Sequence, residues 1–195
     1  MLNATSYQST TFNALLPDSD LDLFQQSLRL RYQTFVLQYG WQLPTVGQNE
    51  SDQYDSIFAH HVLLLDGRRV IATIRLLPTT HDIFGITYMI LDAHRGKLAG
   101  MPAKIMKREI ISHSTWEASR MAICKSIPRN QIYPIIKQLI LTAQLQIRNK
   151  GGSSMLGLMK PQFINIFKRL EIPVQQFGPI SEQIDGQIVV LKYDF

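Results

Sequence analysis

One cysteine, Cys124, stands in 195 residues, so an internal disulfide framework is excluded and a reducing compartment is expected. Long apolar runs are missing as well. The longest, such as IIKQLILTAQL, are broken by Lys, Gln or Thr, well short of the ~20 residues a bilayer span requires. Residues 1 to 16, MLNATSYQSTTFNALL, lack the basic start and continuous apolar block of a secretory signal, and a cytoplasmic location is expected. Neither G-x-x-x-x-G-K-S/T nor G-x-G-x-x-G occurs, which removes the common phosphate-cradling loops. His60 and His61 are adjacent, so in a strand they face opposite ways and cannot share one metal; neither metal nor cofactor is expected. No Cys-specific motif surrounds Cys124, which reads as a small strand-core residue rather than a nucleophile.

What is present is a chain with 45% hydrophobic residues, enough for one well-filled domain over residues 1–195. Charge is unevenly spread. Residues 95 to 170 hold fourteen basic side chains against two acidic ones, whereas residues 1 to 94 hold five against nine. Such a field suits nucleic acid, an anionic surface, a phosphorylated cofactor or an acidic protein. Aromatics of the kind that stack single strands are scarce in this segment, which ranks nucleic acid below a phosphate-bearing or acidic partner.

After Pro17 and the Asp18-Ser19-Asp20 helix start, Phe24, Leu28, Arg31, Phe35 and Tyr39 recur at spacings of 4, 3, 4 and 4, one face of a helix. Arg31 falls on that apolar stripe. Either its stem snorkels to the edge or its guanidinium is held in a cleft. Residues 59 to 77 read as two strands about Asp66-Gly67, a hairpin signal. Arg75 is interior to the second strand, on the face of Ile71, Thr73 and Leu77. Residues 78 to 104 read as loops with short elements. STWEASRMAI is a strand, and Ile132 to Lys150 a helix ended by Gly151-Gly152. SSMLGLM is a strand, a helix opens at Pro161, and QIVVLKYDF is a last strand. This order is α/β, without internal repeats.

Arg31, Arg75, Glu117 and Arg120 thus sit in apolar settings, with Asp52 and Asp55 in the preceding polar loop. Burying any one of these charges alone is costly, so a paired internal network is the default expectation. For Asp52 and Asp55 the competing reading is a solvated, turn-forming loop. In an even strand Glu117 and Arg120 face opposite ways. A bulge is required for both to reach one cleft.

Taken together, Arg31-x3-Phe35, Trp41, Asp52-x2-Asp55, Arg75 in ATIRLLPTT and Glu117-Ala118-Ser119-Arg120 resemble the LuxI-type acyl-homoserine-lactone synthases, from about residue 24 to 180. The resemblance implies a single α/β domain related to the N-acetyltransferases, with a twisted mixed β-sheet flanked by helices and an open cleft. Within it, about 1–17 would be a flexible leader and about 18–58 a mobile part that closes over substrate. The implied reaction moves an acyl group from acyl carrier protein to the amine of S-adenosylmethionine. Lactonisation then expels methylthioadenosine.

By position, the resemblance assigns Arg31, Phe35, Trp41, Asp52, Asp55 and Arg75 to S-adenosylmethionine binding and its closure network. Glu117 becomes the candidate general base and Arg120 its catalytic companion. The acyl pocket falls on Met121, Met155, Gly157 and Met159, and carrier-protein docking on Arg148, Lys150, Lys160, Lys168 and Arg169. His94 and Met121 stand where the family commonly has Phe. Two other readings remain: a related N-acyltransferase using acyl-CoA, and a non-catalytic basic domain. The glycine-rich turn that ordinary N-acetyltransferases use for acetyl-CoA is absent, and a basic binding domain leaves the placement of Glu117 and Arg120 unexplained.

Overall fold

The computed structural model describes residues 7–195; the first six residues of the expected leader lie outside the described residues. In chain order the elements are β1 (Gln8–Phe12), α1 (Leu21–Arg31), a π-helical segment (Tyr32–Gln38), β2 (Thr45–Val46), β3 (Asn49–Glu50), β4 (His60–Asp66) and β5 (Arg69–Pro78). There follow α2 (Met89–His94), β6 (Thr115–Ile123), α3 (Arg129–Asn149), β7 (Ser154–Met159), α4 (Phe163–Arg169), β8 (Val174–Gln176), β9 (Ser181–Gln183) and β10 (Gly186–Asp194). Two compact units emerge. The first comprises the described residues up to Leu76 with Arg120–Ala143, and the second Leu77–Ser119 with Gln144–Phe195.

In the first unit, β1, β4 and β5 lie side by side and antiparallel. Gln8–Phe12, which the sequence places in a flexible leader, instead forms β1, in register from Gln8↔Leu65 to Phe12↔His61. Alternating polar residues without an apolar run hide such an edge strand from pattern reading. The expected hairpin is present, and Gly67 turns with φ of +60°, a value that glycine adopts without Cβ strain.

Helix α1 starts where Asp20 accepts the Leu23 N–H at 3.1 Å. Its buried side, Leu23, Leu28 and Leu30, continues into Phe35. The π-helical turns add a residue per turn, so the sequence stripe loses phase and Tyr39 emerges 52% exposed. Leu23, Leu30 and Phe35 pack on Phe12, Leu63, Leu65, Val70 and Ala122.

The second unit has the strand order β6, β7, β10, β8. β6 and β7 are parallel, paired over Thr115–Glu117 and Ser154–Leu156, while β10 runs antiparallel to β7 and β8. This sheet is mixed. Helix α3 joins the two parallel strands, as a parallel pair requires. Ile136, Leu139, Ile140, Ala143 and Ile147 are buried along it, at the i, i+3, i+4 spacing of one helix face. It ends with the Gly151 and Gly152 N–H groups donating to the Arg148 and Ile147 carbonyls. The six-residue α2 lies in the stretch expected as loops with short elements. Among the described residues, no helix is long and apolar enough to cross a membrane.

Candidate active site

The first unit gathers five of the predicted charged residues into one buried network. Arg31 Nε donates to Glu50 Oε2 at 2.6 Å, and its two terminal nitrogens grip both oxygens of Asp55 at 2.7 and 2.8 Å. Arg75 Nη1 reaches Asp52 Oδ1 at 2.5 Å and Asp55 Oδ1 at 3.0 Å. Arg120 joins Glu50 at 3.1 Å and Asp52 at 2.6 Å. Three cations therefore face three anions, and none of the six side chains is more than 11% exposed. Neither the snorkelling reading of Arg31 nor the solvated-loop reading of Asp52 and Asp55 survives.

The sequence reading missed Glu50, which is held at the network's centre by the short β2–β3 hairpin, where it pairs with Thr45. A lone Glu in a polar stretch carries no periodic signal. It missed His61 too. That imidazole is 2% exposed, 3.8 Å from Asp55 and edge-on to Phe24.

Electrostatics follow the packing. Burial by itself would raise the Asp55 and Asp52 carboxyls. The neighbouring guanidiniums outweigh it, those of Arg75 and Arg31 at Asp55 and of Arg75 and Arg120 at Asp52, and both are held below the usual carboxylate range. Burial pushes His61 down to about 3, so at neutral pH its contact with Asp55 is not an ion pair. For Arg31, burial opposes the charge, but the bonds and field of Asp55 hold it more firmly protonated than in water.

Phe35 and Trp41 stack with ring centroids 5.2 Å apart and planes 6° from parallel, and the Arg120 guanidinium lies 5.9 Å from the Phe35 centroid. The predicted aromatic pair thus braces the predicted arginine. Arg120 has φ of +55° inside β6, a left-handed break in strand alternation.

Glu117 belongs to the second unit and is fully buried. Its Oε1 accepts the Ile90 N–H at 2.7 Å, and Ser119 Oγ approaches Oε2 at 3.3 Å. Tyr88 is buried nearby with its hydroxyl donating to the Ile110 carbonyl at 2.7 Å; burial and the Glu117 charge push that phenol up. Ser119 stood in the motif read from the sequence, whereas Tyr88 was not singled out there.

Of the predicted acyl-pocket residues, Met155, Gly157 and Met159 share one face of β7 at a spacing of two. A Cβ on Gly157 would meet Met159 Cε at 2.6 Å and the Ala118 carbonyl at 3.5 Å, so the backbone approaches closely there. Met121 is half-buried on β6 in the first unit. Arg148, Lys150, Lys160, Lys168 and Arg169 are all exposed in the second unit, and Arg148 stacks on Phe195 at 5.4 Å. Cys124 follows the end of β6, half-buried against the first unit's core rather than within the strand. His94 accepts the Met106 N–H on Nδ1 at 3.0 Å, a bond that phenylalanine cannot make.

This α/β fold is of the N-acyltransferase class. An acyl-CoA N-acyltransferase from Pseudomonas aeruginosa shares it at a TM-score of 0.62 and 16% identity, over 96% of this chain and 99% of that one. The CoA-dependent acyl-homoserine lactone synthase BjaI, solved with SAM and isopentyl-CoA, shares it at 0.76 and 22%, over 97% of this chain and 83% of that one. An acyl-homoserine-lactone synthase of Ralstonia nicotianae is 29% identical over 170 residues, 82% of this chain and 76% of the relative. The profile of the autoinducer synthase family matches residues 15–192. The chain belongs to the autoinducer synthase family and is an acyltransferase of the acyl-homoserine-lactone-synthase type.

Proposed function

We propose that the chain joins an acyl thioester to the amine of S-adenosylmethionine, after which the methionyl carboxylate closes a lactone and methylthioadenosine leaves. The observation that carries this reading is the buried Arg31–Asp55–Arg75–Asp52–Arg120–Glu50 network. It ties the loop of residues 50–55 to α1, β5 and the end of β6. In the proposed role, this assembly together with Phe35 and Trp41 closes residues of about 18–58 over the sulfonium substrate within a single synthase domain.

Glu117 serves as general base and takes the proton that the attacking amine must lose. Its burial and fixed hydrogen bonds suit a base whose position is set before substrate arrives. β6 continues past Glu117, beyond the last pair of its register with β7. Backbone N–H groups along that stretch are the proposed donors to the thioester oxygen as it gains negative charge. Met121, Met155, Gly157 and Met159 line the proposed acyl site.

The donor carries its acyl group on a phosphopantetheine thioester, and the CoA dependence of BjaI favours acyl-CoA over acyl carrier protein. Arg148, Lys150, Lys160, Lys168 and Arg169 offer positive charge to the phosphates of the one or the acidic face of the other. The reaction takes place in the cytoplasm, consistent with the single cysteine.

The test presents equal concentrations of acyl-CoA and acyl carrier protein bearing distinguishable isotopic acyl chains, together with S-adenosylmethionine. Lactone formed mainly from the CoA label is expected. Formation mainly from the carrier label would reverse the donor assignment, and no lactone from either would end the proposal.

A further inference from the structure

We infer that Asp92 and Thr87 are positioning residues for the reaction: together they fix the first turn of α2 so that the Ile90 amide holds the Glu117 carboxylate. This rests on the reading of Glu117 as the base and adds the device that aims it.

The argument starts from a weakness in α2. Six residues are too few to hold a helix by their own hydrogen bonds, and Tyr88, at the N-cap position, provides no capping side-chain bond. The turn must therefore be fixed by side-chain bonds. Asp92, itself in the first turn of α2, does so by reaching out to the preceding Thr87, accepting its N–H on Oδ2 at 3.1 Å and its hydroxyl on Oδ1 at 2.8 Å. Both residues are 3% exposed.

Lys97 closes the other side. Its ammonium lies 3.2 Å from Asp92 Oδ1 and donates to the Gly85 carbonyl at 2.7 Å, and its own N–H donates to the Asp92 carbonyl at 2.9 Å. Tyr88 is anchored by its hydroxyl to Ile110. With positions 87 and 88 pinned, the Ile90 N–H is aimed at Glu117 Oε1 at 2.7 Å.

A buried carboxylate with two oxygens could rotate or withdraw from its substrate. One amide on a pinned turn and the Ser119 hydroxyl set its direction. The same amide is a donor that the ionised carboxylate accepts, and its loss disfavours that form. Burial and the Glu117 charge push the Tyr88 phenol up, so it stays neutral through the working range.

The experiment uses the full chain and follows kcat/KM and kcat for S-adenosylmethionine against pH in Thr87→Val, Thr87→Ser and Asp92→Asn. Thr87→Val and Asp92→Asn should lower kcat with little change in KM. They should also move the acid limb of the profile upward, since a loosened Ile90 N–H supports the ionised carboxylate less well. Thr87→Ser, which keeps the hydroxyl, should restore the wild-type profile. A folded Thr87→Val with wild-type kcat and acid limb overturns the inference even if Asp92→Asn fails to fold, because Thr87→Ser supplies the folded control. Glu117→Gln separates the two levels. If it turns over normally, the base assignment itself is wrong; if it is slow while Thr87→Val is unaffected, only the positioning inference falls.

Discussion

Arg31 and Asp55 meet fork to fork: the guanidinium's Nη1 and Nη2 donate to the carboxylate's Oδ1 and Oδ2 at 2.7 and 2.8 Å, with the side chains 1% and 2% exposed. Such a pair gains direction from its two parallel bonds. Its net contribution depends on what replaces it. Removing one partner strands a charge among Arg75, Glu50 and Asp52, whereas removing both leaves a smaller defect.

Asp55→Ala is therefore expected to destabilise the chain by about 3–5 kcal/mol in denaturant unfolding. The Arg31→Met, Asp55→Leu double variant should lose clearly less than the sum of its single variants. Strict additivity would show that the two side chains act independently.

His61 supplies a pH signature. Its folded pKa, about 3, is depressed below the ordinary value of about 6.5. Between those values the unfolded chain binds a proton that the folded chain does not, so stability must fall as pH drops from about 6.5 toward 3. The slope approaches 1.4 kcal/mol per pH unit. Asp52 and Asp55, held below their usual range, add a loss of the same sign below about pH 4, where the unfolded carboxylates take up protons. A folded His61→Phe variant should flatten the pH 6.5–4 portion of the stability profile. An unchanged profile would mean that His61 titrates normally.

The sequence revealed Arg31, Arg75, Asp52, Asp55 and Arg120 because charge in an apolar pattern, or next to one, stands out. It could not supply Glu50, whose role depends on a two-residue strand pairing. The odd phase of the π-helical turns was also hidden, since the apolar stripe there still fits 3.6 residues per turn as far as Phe35. Strand β1 and helix α2 carry too little periodicity to be read, yet α2 supplies the amide that touches Glu117. The strand containing Glu117 was legible, but its Ile90 partner was not, because it comes from a turn 27 residues away.

For the exposed basic residues, double charge reversal at Lys150 and Lys168 should raise KM for the thioester donor several-fold at low salt and leave kcat unchanged. The effect should fade as salt is added, because opposite-charge steering acts on association and is screened. An unchanged KM at low salt for both acyl-CoA and acyl carrier protein would assign docking to another surface.

Gly157 bears on the acyl chain. It offers no hydroxyl to a 3-oxo group, and leaving such an oxygen under-satisfied costs about 1–3 kcal/mol. An unsubstituted chain is expected to win over its 3-oxo counterpart of equal length. Gly157→Thr should shift the product ratio toward the 3-oxo lactone, with the flexible end of Met159 moving aside from the new Cβ. A wild-type preference for 3-oxo donor would contradict the hydroxyl argument.

The central claim is tested most directly by incubating the chain with S-adenosylmethionine and a series of acyl thioesters while measuring acyl-homoserine lactone and methylthioadenosine together by mass spectrometry. The account predicts both products in equal amounts, and a rate lower by ~100- to 10,000-fold in a folded Glu117→Gln variant. Thioester consumed without lactone, methylthioadenosine released without an acylated product, or a Glu117→Gln variant working at the wild-type rate would contradict it.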